Sequence, residues 1–229
     1  MRIRAVLAAG VVGLLASAAV ATPVANQVNT FQGANPAGWT NGGAAADPVV
    51  LTTGGPAGAG DGYLRVTATG GGGPGSHLVA FNVAPQWTGN FSTAGVNALS
   101  MDLKNFSTSP LSMRISLQET GSTWYVSNPA VALPADNAWH TVTFPLTPAG
   151  MTATNGATPL ATGLTRVNEF RILDNPSADY RGAVISASFG VDNVRAVPEP
   201  GAALVLVAAL TPLLVRRSNP SRRFRRDVL

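Results

Sequence analysis

The sequence predicts an all-β fold, a single jelly-roll-like β-sandwich, for the long middle part of this 229-residue chain. Short apolar segments alternate with polar residues at every second position, and glycine, proline and asparagine separate these segments. No stretch between residues 22 and 197 shows the 3.6-residue period of an amphipathic helix. About 175 residues suffice for one hydrophobic core. The chain has no cysteine, so no disulfide or thiol chemistry is available.

The clearest strand is segment 111–118, because leucine, methionine and isoleucine alternate there with polar residues, Arg114 among them. We expect the apolar side chains to face the core and the polar ones to face solvent. Segment 70–75 is predicted to be a glycine-rich hairpin turn, and segment 147–165 a polar connection with one helical turn. Further strands are predicted at residues 28–32, 48–52, 63–69, 77–83, 98–104, 123–126, 139–146, 167–173 and 183–194.

The first 21 residues have the pattern of a secretory signal peptide. Arg2 and Arg4 precede an apolar run, and Ala19 and Ala21 form an A-x-A cleavage site before Thr22. Residues 22–196 are then the β-sandwich domain. We therefore expect this domain to be exported.

The exported part is not basic, although the whole chain is. Residues 22–197 contain seven lysine and arginine residues against nine acidic ones, a net charge of −2. The excess of positive charge lies in the two end segments. The charge balance gives no argument for a nucleic-acid partner.

The C-terminal segment, residues 197–229, has three parts. Pro198, Glu199 and Pro200 form a peptide that should be extended and unable to pair in a sheet interior. An uncharged run at 201–215 follows; as a helix it would span roughly 22 Å, short for a hydrocarbon core of about 30 Å. A basic cluster behind such a helix stays cytoplasmic and places the domain outside. The cluster consists of Arg216, Arg217, Arg222, Arg223, Arg225 and Arg226.

These three parts, in this order, resemble the PEP-CTERM sorting domain of Gram-negative bacteria. The resemblance implies export through the inner membrane, transient anchoring by one transmembrane helix, and recognition of Pro198, Glu199 and Pro200 by an exosortase-like membrane enzyme. Display at the cell surface or release would follow. A buried C-terminal helix, an ordinary tail anchor and a nucleic-acid arm are the alternatives.

The middle of the chain resembles galactose-binding-like jelly rolls, which include several carbohydrate-binding modules. The resemblance rests on segments 29–33, 61–65 and 189–194, together with Trp39. It implies that the first and last strands could hold a structural calcium, for which Asp192 matches the closing acid. Gln32 stands where a glutamate is common, and an amide offers no carboxylate, so we expect no cofactor.

Glycan binding would need an exposed aromatic platform beside polar side chains. Trp124 and Tyr125 are adjacent on a predicted strand and must point to opposite faces, so we expect one of them to be exposed. Trp87 lies in a predicted loop beside Gln86 and Asn90. Core packing is the alternative for each of the three aromatic residues.

Catalysis has little support in the sequence. His77 and His140 are the only histidines, and no serine lies in a nucleophile motif. Most of the acidic residues fall at predicted turns or on polar strand faces, where they cap the backbone. We therefore predict no catalytic residue and no enzyme activity.

The sequence predicts an exported protein that an exosortase-like enzyme sorts, with a structural or adhesive role in exopolysaccharide or biofilm. The resemblance of the C-terminal segment implies the association with polysaccharide. A carbohydrate-binding module with a defined glycan is the alternative, and a secreted hydrolase ranks last.

Overall fold

A computed structural model describes residues 23–43 and 46–199, and these form two antiparallel β-sheets packed face to face. The predicted all-β sandwich is confirmed. Several predicted features lie outside the described residues. They are the signal peptide with Ala19 and Ala21, the residue Pro200, the membrane helix and the arginine cluster. Within the described part, no helix is long and apolar enough to cross a membrane.

Thirteen strands make up the two sheets. They are β1 (Val28–Asn29), β2 (Trp39–Thr40), β3 (Val49–Leu51), β4 (Tyr63–Thr69), β5 (Val79–Asn82), β6 (Val96–Asn105), β7 (Leu111–Glu119), β8 (Trp124–Ser127), β9 (Val131–Leu133), β10 (Trp139–Pro145), β11 (Met151–Asn155), β12 (Val167–Asp174) and β13 (Ser186–Pro198). Sheet A has the order β10-β6-β13-β4-β3, with β1 also paired to β13. Sheet B has the order β11-β8-β7-β12-β5-β2, with β9 also paired to β7.

The core lies between the sheets and is built by alternate residues of the long strands. In β7, Leu111, Met113, Ile115 and Leu117 all point inward, as their period of two predicts. Burying each of these side chains stabilises the fold by about 1.5–3 kcal/mol.

Three short strands escape the sequence pattern. β2 has two residues and β9 has three, too few to show an alternation. β11 lies within the segment predicted to be a polar connection, because only Met151 among its five residues is buried. The helical turn predicted in the same segment is present at Leu160–Gly163.

The proline-rich peptide at the end of the domain continues the last strand. Pro198 is the last residue of β13, paired with Val96 of β6, and the backbone N–H of Glu199 donates to the carbonyl oxygen of Gly95 at 3.1 Å. Pro198 pairs on one side only, with β6, because the pairing of β13 with β4 ends at Val191, so the expectation that the peptide cannot pair in a sheet interior is not contradicted. A proline fits there because the strand ends at this residue and the next N–H continues the pairing.

Candidate functional site

Two of the three predicted aromatic platforms belong to the core. Trp87 is fully buried on a 3-10 turn (Pro85–Trp87), and its indole Nε1 donates to Asn29 Oδ1 at 2.7 Å. The Tyr125 ring also faces the core, and its hydroxyl donates to the Thr158 carbonyl oxygen at 2.8 Å. The alternative of core packing holds for both, since neither ring has a free face for a ligand.

Trp124 lies on the opposite side of its strand from Tyr125, on the outer face of sheet B, as predicted. It is nevertheless only 4% exposed. The ring of Tyr180 stacks on it, with centroids 4.4 Å apart and planes 12° apart, and the Arg171 guanidinium lies 4.1 Å from its centroid. The expectation that either Trp124 or Tyr125 is exposed is therefore wrong, because other side chains cover Trp124.

The segment that brings Tyr180 there is the loop 175–182, which follows β12 and folds over the outer face of sheet B. Arg114 holds the loop at its start: Nε donates to the Asn175 carbonyl oxygen at 2.8 Å and Nη2 to that of Pro176 at 3.1 Å. The predicted outward direction of Arg114 is confirmed, but the residue is only 4% exposed. Its burial lowers the pKa of the guanidinium, and the carbonyl oxygens offset the cost of burying the charge.

Strand register places further side chains beside these. Arg171 of β12 pairs with Phe81 of β5 on one side and with Ser116 of β7 on the other, so the three share the outer face. The Arg171 guanidinium lies 5.7 Å from the Phe81 ring centroid and 5.6 Å from that of Tyr180, and the Arg181 guanidinium lies 5.0 Å from that of Tyr180. Such contacts hold both cations against the rings. We call Phe81, Trp124, Arg171, Tyr180 and Arg181 the arginine–aromatic cluster.

A cleft of about 190 Å³ opens beside this cluster. Phe81, Arg171 and Arg181 line it together with Asn41, His77 and the glycine-rich hairpin turn at residues 73–75. A side chain at position 75 would put its Cβ 2.2 Å from the Cβ of Ala46, so glycine is needed for this close approach. The cleft combines the Phe81 ring with apolar side chains and a few polar groups, the usual make-up of a small-ligand site.

His77 has a fixed role in this cleft. Its Nδ1 lies 2.5 Å from the carbonyl oxygen of Gly182, which can only accept, so Nδ1 carries the proton. The contact ties the end of the 175–182 loop to the strand side of the cleft. The sequence analysis considered His77 only for catalysis, as one of the two histidines of the chain.

Sequence reasoning missed Phe81, Arg171, Tyr180 and Arg181 as site residues. The strand period alone places Arg171 on the outer face, two residues from Glu169. The position of Tyr180 and Arg181 depends on the path of a loop, which no period in the sequence encodes.

The other histidine, His140, lies beside an aspartate. His140 lies on β10, at the edge of sheet A, and its Nε2 is 3.0 Å from Asp136 Oδ2. Both side chains are at least one-third exposed.

Asp192 was the candidate calcium ligand. It is fully buried, and neither carboxylate oxygen accepts a hydrogen bond of ordinary geometry. Calcium takes six to eight oxygen ligands. Gln32 instead turns its amide nitrogen to Asp61 Oδ1 at 2.7 Å and to the Thr30 carbonyl oxygen at 3.0 Å. No group of three acidic or histidine side chains suited to a metal occurs among residues 23–43 and 46–199.

Burial also disfavours the charged form of Asp192. Burial, together with the nearby carboxylates of Asp61 and Asp102, raises its pKa to about 7, against the weaker opposing effect of the Asn193 backbone N–H. The absence of a resident cofactor stays a prediction.

No protein-family model and no curated protein matches this chain. Solved structures do share its fold. An exo-β-agarase superposes on 77% of this chain with a TM-score of 0.53 at 12% identity, but this chain spans only 25% of the agarase chain.

Two solved structures of carbohydrate-binding modules match along nearly their whole length. The family 11 module of a cellulosomal cellulase of Clostridium thermocellum superposes with a TM-score of 0.50 at 16% identity, covering 78% of this chain and 97% of the module. The module CtCBM11, studied in solution, gives a TM-score of 0.50 at 18% identity, covering 81% and 99%. At these identities the likeness establishes the fold: the described domain is a jelly-roll β-sandwich of the kind found in carbohydrate-binding modules.

Proposed function

We propose that this domain is a non-catalytic carbohydrate-binding module that binds a glycan at the arginine–aromatic cluster on the outer face of sheet B. The observation that supports this most is the stack of Tyr180 on Trp124 beside the cleft lined by Phe81 and Arg171. The stack fixes a half-buried ring next to guanidinium donors. Fixed aromatic surface and hydrogen-bond donors together suit the apolar face and the hydroxyl groups of a sugar ring.

Whole-domain likeness to carbohydrate-binding modules supports the same proposal. It supports the glycan-binding alternative of the sequence analysis better than a purely structural or adhesive role. The matched modules span nearly the same length as this domain, whereas the agarase is about four times as long as the matched part. A binding module is therefore a better analogue than a whole hydrolase.

Affinity electrophoresis of the full chain through gels that contain single polysaccharides tests the proposal. We expect at least one polysaccharide to retard the wild-type protein, and Tyr180→Ala to remove most of the retardation. Phe106→Ala is the matched control, because Phe106 is a half-buried ring on the outer face of sheet A, stacked on Tyr63. Equal retardation of the wild type and Tyr180→Ala would contradict the proposed site.

The place where this module works is a separate proposal. The resemblance of residues 197–229 to a PEP-CTERM sorting domain supports export from a Gram-negative cell, processing by an exosortase-like enzyme and a final place at the cell surface or in extracellular polysaccharide. A glycan-binding domain would retain the processed protein in that matrix. Replacement of Pro198, Glu199 and Pro200 by alanine should leave the full-length chain in the membrane fraction, and normal release would contradict this route.

A further inference from the structure

Two of the polar side chains that line the cleft, Arg171 and Arg181, are cations that can only donate hydrogen bonds. Arg171, Arg181 and His77 line it, and no aspartate or glutamate among the described residues does. Asn41 already donates from its amide nitrogen to the Val79 carbonyl oxygen at 2.9 Å. A guanidinium has donors and no acceptor. The side-chain acceptors left in the lining are Asn41 Oδ1 and His77 Nε2, and neither is a carboxylate.

The two arginines differ in how much donor capacity they have left. Arg171 donates from Nε to Glu169 Oε1 at 2.5 Å and from Nη1 to the Tyr180 carbonyl oxygen at 3.3 Å, while its Nη2 has no partner in the described part of the chain. Glu169 balances its charge. The exposed Arg181 guanidinium makes no hydrogen bond or ion pair within residues 23–43 and 46–199. Asp179, the acid next to it in the loop, uses Oδ1 to accept the Arg181 backbone N–H at 3.0 Å.

Arg171 and Arg181 both lie close to the ring of Tyr180. Both guanidinium groups lie within 5.6 Å of the Tyr180 ring centroid. A sugar ring packed against Tyr180 would bring its substituents close to these donors. A carboxylate is an acceptor-only group, and a guanidinium pairs with it through two parallel hydrogen bonds.

We propose that the glycan bound at the arginine–aromatic cluster is acidic: a polymer of uronic acid residues, whose sugar ring packs on Tyr180 and whose carboxylate pairs with Arg181 and the remaining donor of Arg171. This inference rests on the proposed function, since it specifies the ligand of the same site. The free donors of the two arginines, with no carboxylate in the cleft lining, favour such a ligand over a neutral glycan, whose hydroxyl groups both donate and accept.

Binding of the full chain to matched polymers tests the inference. The probes are polygalacturonate, alginate and hyaluronan, each compared with the same polymer after its carboxyl groups have been reduced to alcohols. We expect the acidic form of at least one polymer to bind at least about tenfold more tightly than its reduced form, the effect of about one charge-assisted hydrogen bond pair. Arg181→Gln should weaken binding of the acidic form by about tenfold, and Arg181→Lys by less.

Arg65→Gln is the matched control. Arg65 is also exposed and also lies against a ring, 4.9 Å from the Phe106 centroid, but on sheet A. The Arg65→Gln variant should bind the acidic polymers as tightly as the wild type does. Equal weakening by Arg65→Gln, or equally tight binding of dextran sulfate, which carries no carboxylate, would mean general charge attraction and would overturn the inference.

The remaining outcomes separate this inference from the proposed function. If reduced polymers bind as tightly as acidic ones and Tyr180→Ala abolishes both, the glycan site stands and selection for carboxylates fails. Selection for carboxylates also fails if only neutral polysaccharides bind in a Tyr180-dependent way. If no polysaccharide of either kind binds, the proposed function fails together with the inference.

Discussion

Tyr180 lies flat on Trp124, with ring centroids 4.4 Å apart and planes 12° apart, although one residue comes from a loop and the other from β8. The contact joins the loop to the outer face of sheet B and covers a tryptophan that would otherwise be exposed. Offset or parallel stacking of this kind adds about 0.5–1.5 kcal/mol beyond the area that it buries. The contact thus supports both the fold of the loop and the ring that would meet a ligand.

Removal of the lower ring should cost stability. We expect Trp124→Ala to lower the free energy of unfolding by about 3 kcal/mol, because a nearly buried indole is lost and Tyr180 and Arg171 lose their support. Trp124→Phe, which keeps a ring, should lower it by less. Urea denaturation followed by circular dichroism measures both. A loss below about 1 kcal/mol in the alanine variant would show that the loop does not depend on this contact.

Asp192 should destabilise the fold at neutral and higher pH. Its pKa is raised to about 7 in the folded state, above its ordinary value, so the folded protein binds more protons than the unfolded chain between about pH 4 and pH 7. Stability from this group therefore falls as the pH rises through that window. Asp192→Asn should raise the Tm relative to wild type at about pH 8, and the difference should shrink towards about pH 4. A difference independent of pH would mean that Asp192 is not titrating in the fold.

Calcium should have little effect on this domain, because Gln32 stands where a glutamate is common and its amide nitrogen donates to Asp61 Oδ1. We expect a chelator to leave the Tm of the full chain nearly unchanged at neutral pH. Differential scanning calorimetry with a chelator, and again after calcium is added back, checks this. A drop of many degrees that calcium alone restores would show that Asp192 holds the ion.

Glu119 should stabilise the fold at neutral pH, whereas Asp192 should destabilise it. Burial raises its pKa, but hydrogen bonds and a nearby cation outweigh burial and lower the pKa to about 2. The backbone N–H groups of Gly121 and Thr123 donate to the carboxylate at 2.6 and 3.1 Å, and the Thr123 hydroxyl and the Arg166 guanidinium add to their effect. A pKa lowered in the folded state stabilises the fold above the unfolded value, and the effect is lost as the pH falls from about 4 to about 2. Glu119→Gln should therefore be destabilised at about pH 7 and converge on the wild type near about pH 2. Thermal unfolding at both pH values would reveal a constant gap if the carboxylate charge were unimportant.

The pairing of Pro198 with Val96 affects the proposed processing. A processing enzyme needs an extended and accessible peptide, whereas β13 runs into the motif without a linker. Insertion of a short Gly-Ser segment between Val197 and Pro198 should speed the appearance of the processed form in the native host. Pulse-chase labelling measures it, with the same insertion in the exposed turn at residues 71–73 as the control. Unchanged or slower processing would mean that the strand end does not limit access.

Strand positions follow from the sequence wherever two or three apolar residues alternate with polar ones. The strands β4 and β7 begin at the predicted residue, because their inward side chains are large and their outward ones polar. The same rule places Trp124 and Arg114 on the outer face. It fails to show that both are buried, because the covering layer is the loop 175–182, which contacts them across a long stretch of chain.

The candidate site depends on this covering loop, so the sequence predicted only one residue of the cluster, Trp124, which lies beneath the loop. Trp124 was a predicted platform and proves to be the ring beneath Tyr180. Trp87 was assigned to a loop, and a loop tryptophan suggested exposure, yet its indole fills the core beside Phe170, with ring centroids 5.5 Å apart. Composition and period cannot tell a loop that turns inward from one that faces solvent.

The central claim is that a glycan binds on the outer face of sheet B, and the indole N–H resonances of the protein test it most directly. The chain has four tryptophans: Trp39 and Trp87 in the core, Trp124 in the arginine–aromatic cluster, and Trp139 on sheet A. In a 15N-labelled full chain titrated with a retarding polysaccharide, we expect the Trp124 indole signal to shift and the Trp139 signal to stay in place. A shift of Trp139 with Trp124 unchanged would put the ligand on the opposite sheet and contradict the account.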